Sequence, residues 1–268
     1  MARRSLHPPG RLHDMNLARL STAVLWLALL TICGQASAAD ALGALLDKVA
    51  AAYGGREVLS AATAFEQFGT TASAMRQRPG RVHRAFQYPD RLRIDIRYSE
   101  NDRELRVLAG ATAWQQGAPV SGTRYATMLL QAARLGLPNS LLDHRDKLRD
   151  AGVITARNGD TLRALELPFH GNLRLVAGID PATGRILESR GIVSMEQERG
   201  MEFATVYDDF RKVGDRLFAF SETHYAMGNA MGHTTLERIE VTSQLPDELF
   251  DGSQPDQPGP GQHIARSL

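Results

Sequence analysis

The segment Leu92-Arg93-Ile94-Asp95-Ile96-Arg97-Tyr98-Ser99 alternates apolar and polar residues without interruption. This period of two is typical of a β-strand with one dry and one wet face, because successive side chains of a strand point to opposite faces. The leucine, the isoleucines and the tyrosine of this segment are predicted to face a core. Its arginines and its aspartate are predicted to face water.

Similar segments, separated by turn-forming residues, extend over most of the chain. We predict five strands between residues 65 and 116 and seven between residues 153 and 242. A helical period fills residues 123–149, where Pro138 divides two helices and Asn139 or Ser140 caps the second. Another helix ends at Tyr53-Gly54-Gly55. The pattern predicts a mainly β (α+β) fold in which a curved antiparallel sheet forms an incomplete barrel under a helical lid.

Residues 1–38 have the form of a bacterial signal peptide. Four arginines precede the apolar run from Ala23 to Leu30, and Ala36-Ser37-Ala38 follows it. This order predicts cleavage after Ala38 and export to the periplasm, and the run is short for a membrane span. A retained anchor and a start at Met15 are alternatives. Cys33 is the only cysteine, so the mature chain has no disulfide, and lipidation of Cys33 is a minority alternative.

Charge and length limit the possible classes of function and the number of domains. The chain has 31 basic and 30 acidic side chains, and removal of residues 1–38, with four arginines and one acid, leaves a net charge near −2. This balance provides no basic field for nucleic acid. No linker divides the mature residues, so we predict one domain at residues 39–250. The Pro- and Gly-rich residues 251–268 are predicted to be a disordered tail.

The order of short motifs resembles the LolA/LolB-like superfamily of periplasmic lipoprotein carriers. The motifs are Tyr53-Gly54-Gly55, Tyr88 to Arg93, Gly110 to Trp114, Ile179 to Ile186, Tyr207 to Val213 and Leu245 to Phe250. The resemblance covers residues 39–250. It implies an incomplete barrel of about eleven antiparallel strands whose helical lid covers a hydrophobic cavity for acyl chains. It also places Arg91 and Arg93 at a polar position of the cavity mouth.

A curved sheet under a helical plug rarely closes without space left over, and space lined by aliphatic and aromatic side chains suits an acyl chain. The alternative is an interior filled by side chains. The predicted wall of a hydrophobic ligand-binding cavity is Leu92, Ile94, Ile96, Leu105, Val107, Phe203 and Phe218.

Motifs for catalysis are absent from the sequence. It contains no H-E-x-x-H, no G-x-S-x-G, no phosphate-binding loop and no dinucleotide fingerprint. We therefore predict no enzyme, no cofactor and no metal. His224 and His233 flank a turn, and with Glu222 and Glu237 they are a further alternative, a zinc or hydrolase centre. Solvated cross-strand pairs are the expected outcome.

The predicted function is that of a periplasmic, non-enzymatic carrier or binder of lipid or lipoprotein acyl chains. We expect a monomer that binds a lipid or lipoprotein acyl chain, with an envelope transport protein as a further partner and no nucleic acid. The alternative is a non-catalytic structural or sensing module that binds another envelope protein. Its contacts would lie near Met195, Met201, Met227 and Met231.

Overall fold

The computed structural model describes residues 40–169, 171–194 and 200–253. The predicted signal peptide with Cys33, the alternative contact residue Met195, and residues 254–268 of the predicted tail lie outside the described residues. The chain divides into two units at Ala44, and the sheet described below belongs to the unit that begins at Leu45. The domain boundaries drawn from the sequence stay predictions.

The first helix ends at the predicted glycine pair. Helix α1 covers residues 40–52, and the N–H of Gly55 donates to the carbonyl oxygen of Ala50 at 2.8 Å. Gly54 has a φ of +105°, a left-handed value that glycine adopts at low cost. Helix α2, Arg56–Ala61, follows directly.

The described residues form one antiparallel sheet of thirteen strands, against about eleven expected. Their bounds are β1 Ala64–Ser73, β2 Gly80–Gln87, β3 Arg91–Arg97, β4 Arg103–Ala109, β5 Thr112–Gln115, β6 Ala118–Pro119, β7 Arg149–Thr155, β8 Thr161–Phe169, β9 Leu173–Ile179, β10 Ile186–Val193, β11 Met201–Val213, β12 Arg216–Ala226 and β13 Asn229–Thr242. The spatial order is β6-β5-β4-β3-β2-β1-β13-β12-β11-β10-β9-β8-β7. The first and last strands therefore pair in the middle of the sheet.

The sheet is open and curved. Strands β6 and β7 are its edges, and no pairing between them closes a barrel within the described residues. Helix α3, Gly122–Leu135, nevertheless contacts β4 and β5 on one side and β9 and β10 on the other. In a flat sheet β4 and β10 would stand roughly 33 Å apart, seven strand spacings, while a helix is about 10 Å wide. The sheet must therefore curl around α3.

The predicted helical lid is confirmed as an insertion between β6 and β7. Helix α3 is followed by α4, Asn139–Asp143, and by the 3₁₀ turn Arg145–Lys147. The helix buries Met128, Leu129, Leu130, Ala132 and Leu135 against the inner face of the sheet. The predicted cap of α4 is wrong: the Asn139 amide instead donates to the carbonyl oxygen of Leu59 at 2.8 Å.

The outer face of β2 to β4 is dry around Arg93 and Asp95, which corrects the expectation of a wet face there, whereas Arg97 is exposed as predicted. Arg93 and Asp95 are both 2% exposed. The C-terminal 3₁₀ helix Asp247–Phe250 bonds to Arg93, and Leu249 and Phe250 pack with Leu105 and Val107. Asp95 is bound by Arg103 at 2.7 Å. The alternating pattern placed Arg93 and Asp95 on the correct face but did not show that a later segment covers this face.

Among the described residues, no helix is both long enough and apolar enough to span a membrane.

Candidate functional site

A cavity of about 420 Å³ lies between helix α3 and the inner face of the curved sheet. Strands from both halves of the sheet contribute to it. Its apolar wall consists of Val82, Ile94, Ile96, Leu130, Leu175 and Phe203. The residues fall on one face because register pairs Val82 with Ile96 and Gly191 with both Leu175 and Phe203.

Two methionines mark the mouth of the cavity. Met75 and Met231 line it, and Met75 is 78% exposed. Arg134 lines the opposite end of the cavity. It also lines a second, smaller space of about 60 Å³ that is bordered by Phe65, Phe218 and Glu222. Arg134 therefore stands at the inner end of the main cavity.

The floor of the cavity carries a buried ion pair that the sequence reasoning missed. Arg84 on β2 donates from Nη1 to both carboxylate oxygens of Glu222 on β12, at 2.8 and 3.0 Å. The two side chains are 6% and 4% exposed. Arg84 also donates to the hydroxyl of Thr234, which accepts at 3.3 Å. A single guanidinium nitrogen of Arg84 thus contacts both carboxylate oxygens of Glu222 through charge-assisted hydrogen bonds.

The charge states of this floor follow from its burial and its neighbours. Burial alone raises the pKa of Glu222, but the positive charge of Arg84, aided by His224 and Arg134, outweighs it and lowers this pKa to about 2. Burial lowers the pKa of His224 to about 3, against the attraction of Glu222. At neutral pH Glu222 is therefore ionised and His224 is uncharged.

Two further arginines connect the lid with the two halves of the sheet. Arg106 on β4 donates to the side-chain oxygen of Gln131 on α3 at 3.1 Å. Arg134 on α3 donates to the hydroxyl of Thr205 on β11 at 2.7 Å. In both guanidinium groups the Nε atom is buried and has no protein partner among the described residues. Burial lowers the pKa of Arg106, with the charges of Arg84 and Arg134 acting in the same direction.

Comparison with solved structures finds a similar fold in a LolA superfamily protein. A LolA superfamily protein from Nitrosomonas europaea aligns with a TM-score of 0.51 and 10% sequence identity, over 78% of this chain and 96% of that chain. The chain has a LolA-like fold. A DUF1329 family protein from Desulfovibrio piger ATCC 29098 aligns with a TM-score of 0.46 and 10% identity, over 78% and 97% of the two chains. No family model matches the sequence, and no curated protein matches it.

Within this LolA-like fold, three of the seven predicted wall residues line the main cavity: Ile94, Ile96 and Phe203. Leu92 lies on the same face in the adjoining core, and Phe218 borders the smaller space. The ligand-binding role of these residues stays a prediction.

Leu105 and Val107 do not belong to the cavity. They lie on the outer face of β4 under the C-terminal 3₁₀ helix, because register pairs Ile94 with Arg106 and Leu92 with Leu108. The inward phase predicted for β4 is therefore wrong. The strand reads Leu105-Arg106-Val107-Leu108 and is apolar on both faces, so its alternation does not distinguish them.

The arginines expected at the cavity mouth also lie on the outer face. Arg91 pairs with Asp247 at 2.7 Å and stacks over the ring of Phe250, and Arg93 donates to the carbonyl oxygen of Leu249 at 3.2 Å. Both arginines hold the C-terminal segment in place. The arginines that do line the cavity are Arg84, Arg106 and Arg134.

The histidine pair considered as a zinc or hydrolase centre is divided between the two faces of the sheet. His224 lines the cavity, whereas His233 pairs in register with Thr223, next to His224, and therefore points the other way. Glu237 binds Arg81 at the surface. Across the described residues, no group of three or more His, Cys, Asp and Glu side chains could hold a metal ion.

Proposed function

We propose that this protein is a periplasmic, non-catalytic binder or carrier of lipid or lipoprotein acyl chains. The observation that carries the proposal is a cavity of about 420 Å³, with a lining more apolar than polar, between an open, curved sheet and a helical lid. Small-molecule sites typically have volumes of about 300–1,000 Å³ and mostly apolar walls. The periplasmic location is supported by the leader predicted at residues 1–38.

The size of the cavity favours a single chain. A volume of about 420 Å³ lies at the lower end of the range for small-molecule sites, about 300–1,000 Å³. Each buried methylene contributes about 0.8 kcal/mol to the transfer free energy. Affinity for an acyl chain therefore needs no specific polar contact along the wall.

The test is to ask whether the protein carries and binds lipid. Protein purified without detergent is analysed by native mass spectrometry and solvent extraction, and the delipidated protein is titrated with a fluorescent fatty acid. We expect a bound lipid mass and saturable binding. Protein that is free of lipid and does not bind the fatty acid would exclude the proposal, and a stoichiometric envelope protein copurifying with it would favour the structural or sensing module.

A variant pair locates the binding in the cavity. Ala226 lines the cavity beside Phe203, so Ala226→Trp fills it from the mouth. Val153 on the edge strand β7 is 65% exposed, so Val153→Trp adds the same ring at a site remote from the cavity. We expect Ala226→Trp to weaken fatty acid binding at least tenfold and Val153→Trp to leave it unchanged.

A further inference from the structure

The charges that face the cavity do not balance. Three guanidinium groups line it, those of Arg84, Arg106 and Arg134. Glu222 neutralises Arg84, and Glu104 lies 3.1 Å from Arg106. His224 is uncharged, so it adds nothing to either side. One positive charge remains, and it belongs to Arg134.

Arg134 is poorly compensated for a partly buried cation. Its bond to protein within the described residues is the one to the Thr205 hydroxyl, and its buried Nε–H has no acceptor there. A guanidinium offers five N–H donors and loses hydration when it leaves bulk water. Bonding to a single hydroxyl replaces little of that hydration.

A purely structural role does not explain this arginine. The link from α3 to Thr205 requires one N–H donor, and the neutral amide of a glutamine would supply it without a buried charge. The carboxylate of Glu222 feels the charge of Arg134, but it is already bound by Arg84, so the charge of Arg134 is left for a further anion.

We propose that Arg134, supported by Arg106, binds the carboxylate or phosphate head of a single-chain amphiphile that enters the cavity head first. This inference rests on the proposed function and names its ligand class. The head group accepts hydrogen bonds from the free N–H groups at the inner end. The chain runs along Ile94, Ile96 and Phe203 toward the mouth at Met75, so the free end of the chain lies nearest the solvent.

The experiment measures head-group preference by displacement of a fluorescent fatty acid. The competitors are hexadecanoic acid, its methyl ester and hexadecyl phosphate. For the natural sequence we expect the acid or the phosphate to compete at least tenfold better than the ester. The arm that competes better shows whether the anion is a carboxylate or a phosphate.

Variants assign that preference to the guanidinium charge. Arg134→Gln is expected to remove the preference while ester binding stays the same, and Arg134→Lys to keep part of it. Thr205→Val, which removes the hydroxyl but not the charge, should retain the preference. The matched control is Arg124→Gln, on the same helix but exposed and bonded to Gln115. Thermal denaturation checks that each variant is folded.

The outcomes separate this inference from the proposed function. Equal competition by acid, phosphate and ester would overturn the head-group assignment and leave the acyl-chain proposal standing. An Arg134→Gln variant that loses acid and ester to the same extent would also overturn it. Failure of every competitor and of the fluorescent fatty acid would refute both.

Discussion

At the residue scale, the interior of the sheet contains charged side chains that a sequence pattern would place at the surface. Arg84 lies between Val82 and Phe86, which share its face of β2. An arginine flanked at both second neighbours by inward apolar residues is the one signal in the sequence for an inward charge, because side chains alternate along a strand. The partner of Arg84, Glu222, lies 138 positions away along the chain, and nothing local connects the two.

Replacing Glu222 by glutamine leaves Arg84 buried without its counter-charge. We expect Glu222→Gln to lower the free energy of unfolding by about 3–5 kcal/mol, the usual cost of breaking a buried ion pair from one side. Urea denaturation at pH 7 measures it. Glu237→Gln removes the exposed partner of Arg81 and is the control, with an expected loss of about 0–1 kcal/mol. Equal losses in the two variants would contradict the importance of burial.

Acid should destabilise the fold in two windows. His224 has a pKa of about 3 in the folded chain, against an ordinary value of 6.5. Below pH 6.5 its imidazole is protonated in the unfolded chain but not in the folded chain, so the free energy of unfolding decreases as the pH falls. The Glu222 carboxylate has a pKa of about 2, so its contribution to the free energy of unfolding is lost as the pH falls from about 4.5 toward 2. Urea midpoints across pH 2 to 7 measure both windows.

Replacing the imidazole tests the first window separately. We expect His224→Gln to flatten the stability curve between pH 6.5 and 4.5, where one such group contributes a slope of up to about 1.4 kcal/mol per pH unit. His233→Gln, on the opposite face and exposed, is the matched control. If the two variants show the same slope in this window, the burial of His224 is not its cause.

At the scale of elements, local sequence predicted the strands and helices that have a clear hydrophobic period. It did not predict which strand faces are covered by a segment distant in the chain. The strand containing Ile94 and Ile96, the helical insertion and the glycine stop after Tyr53 were all predicted from local sequence. The phase of Leu105 and Val107 was not, because the Asp247–Phe250 helix makes the outer face of β4 as dry as the inner one. Alternation distinguishes two faces only when one of them is wet.

The C-terminal helix Asp247–Phe250 is expected to support the fold without affecting the cavity. Phe250 is 2% exposed and packs on the outer face, so Phe250→Ala should destabilise the protein by about 3–5 kcal/mol, as for other buried aromatic residues. Fatty acid affinity of the folded variant should not change. Ser253→Ala, at an exposed position just beyond, is the control. A loss of affinity in folded Phe250→Ala would show that the two faces are coupled.

At the scale of the whole molecule, the open sheet leaves the lid as the element that bridges its two halves. Leu130 of α3 lies directly over Gly191 of β10, where an added Cβ would stand 3.3 Å from the Cβ of Leu130. That separation is close to the 3.5–4.5 Å between the Cβ atoms of a disulfide. Because Cys33 is the only natural cysteine, a Cys33→Ser background with Leu130→Cys and Gly191→Cys forms one defined cross-link.

We expect oxidation to slow exchange of a bound fluorescent fatty acid at least tenfold, since the helix can no longer move from the sheet, and reduction to restore the rate. The single Gly191→Cys variant controls for the side chain itself. Exchange at the same rate in the oxidised and reduced protein would mean that the chain enters past Met75 and Met231 with the lid in place.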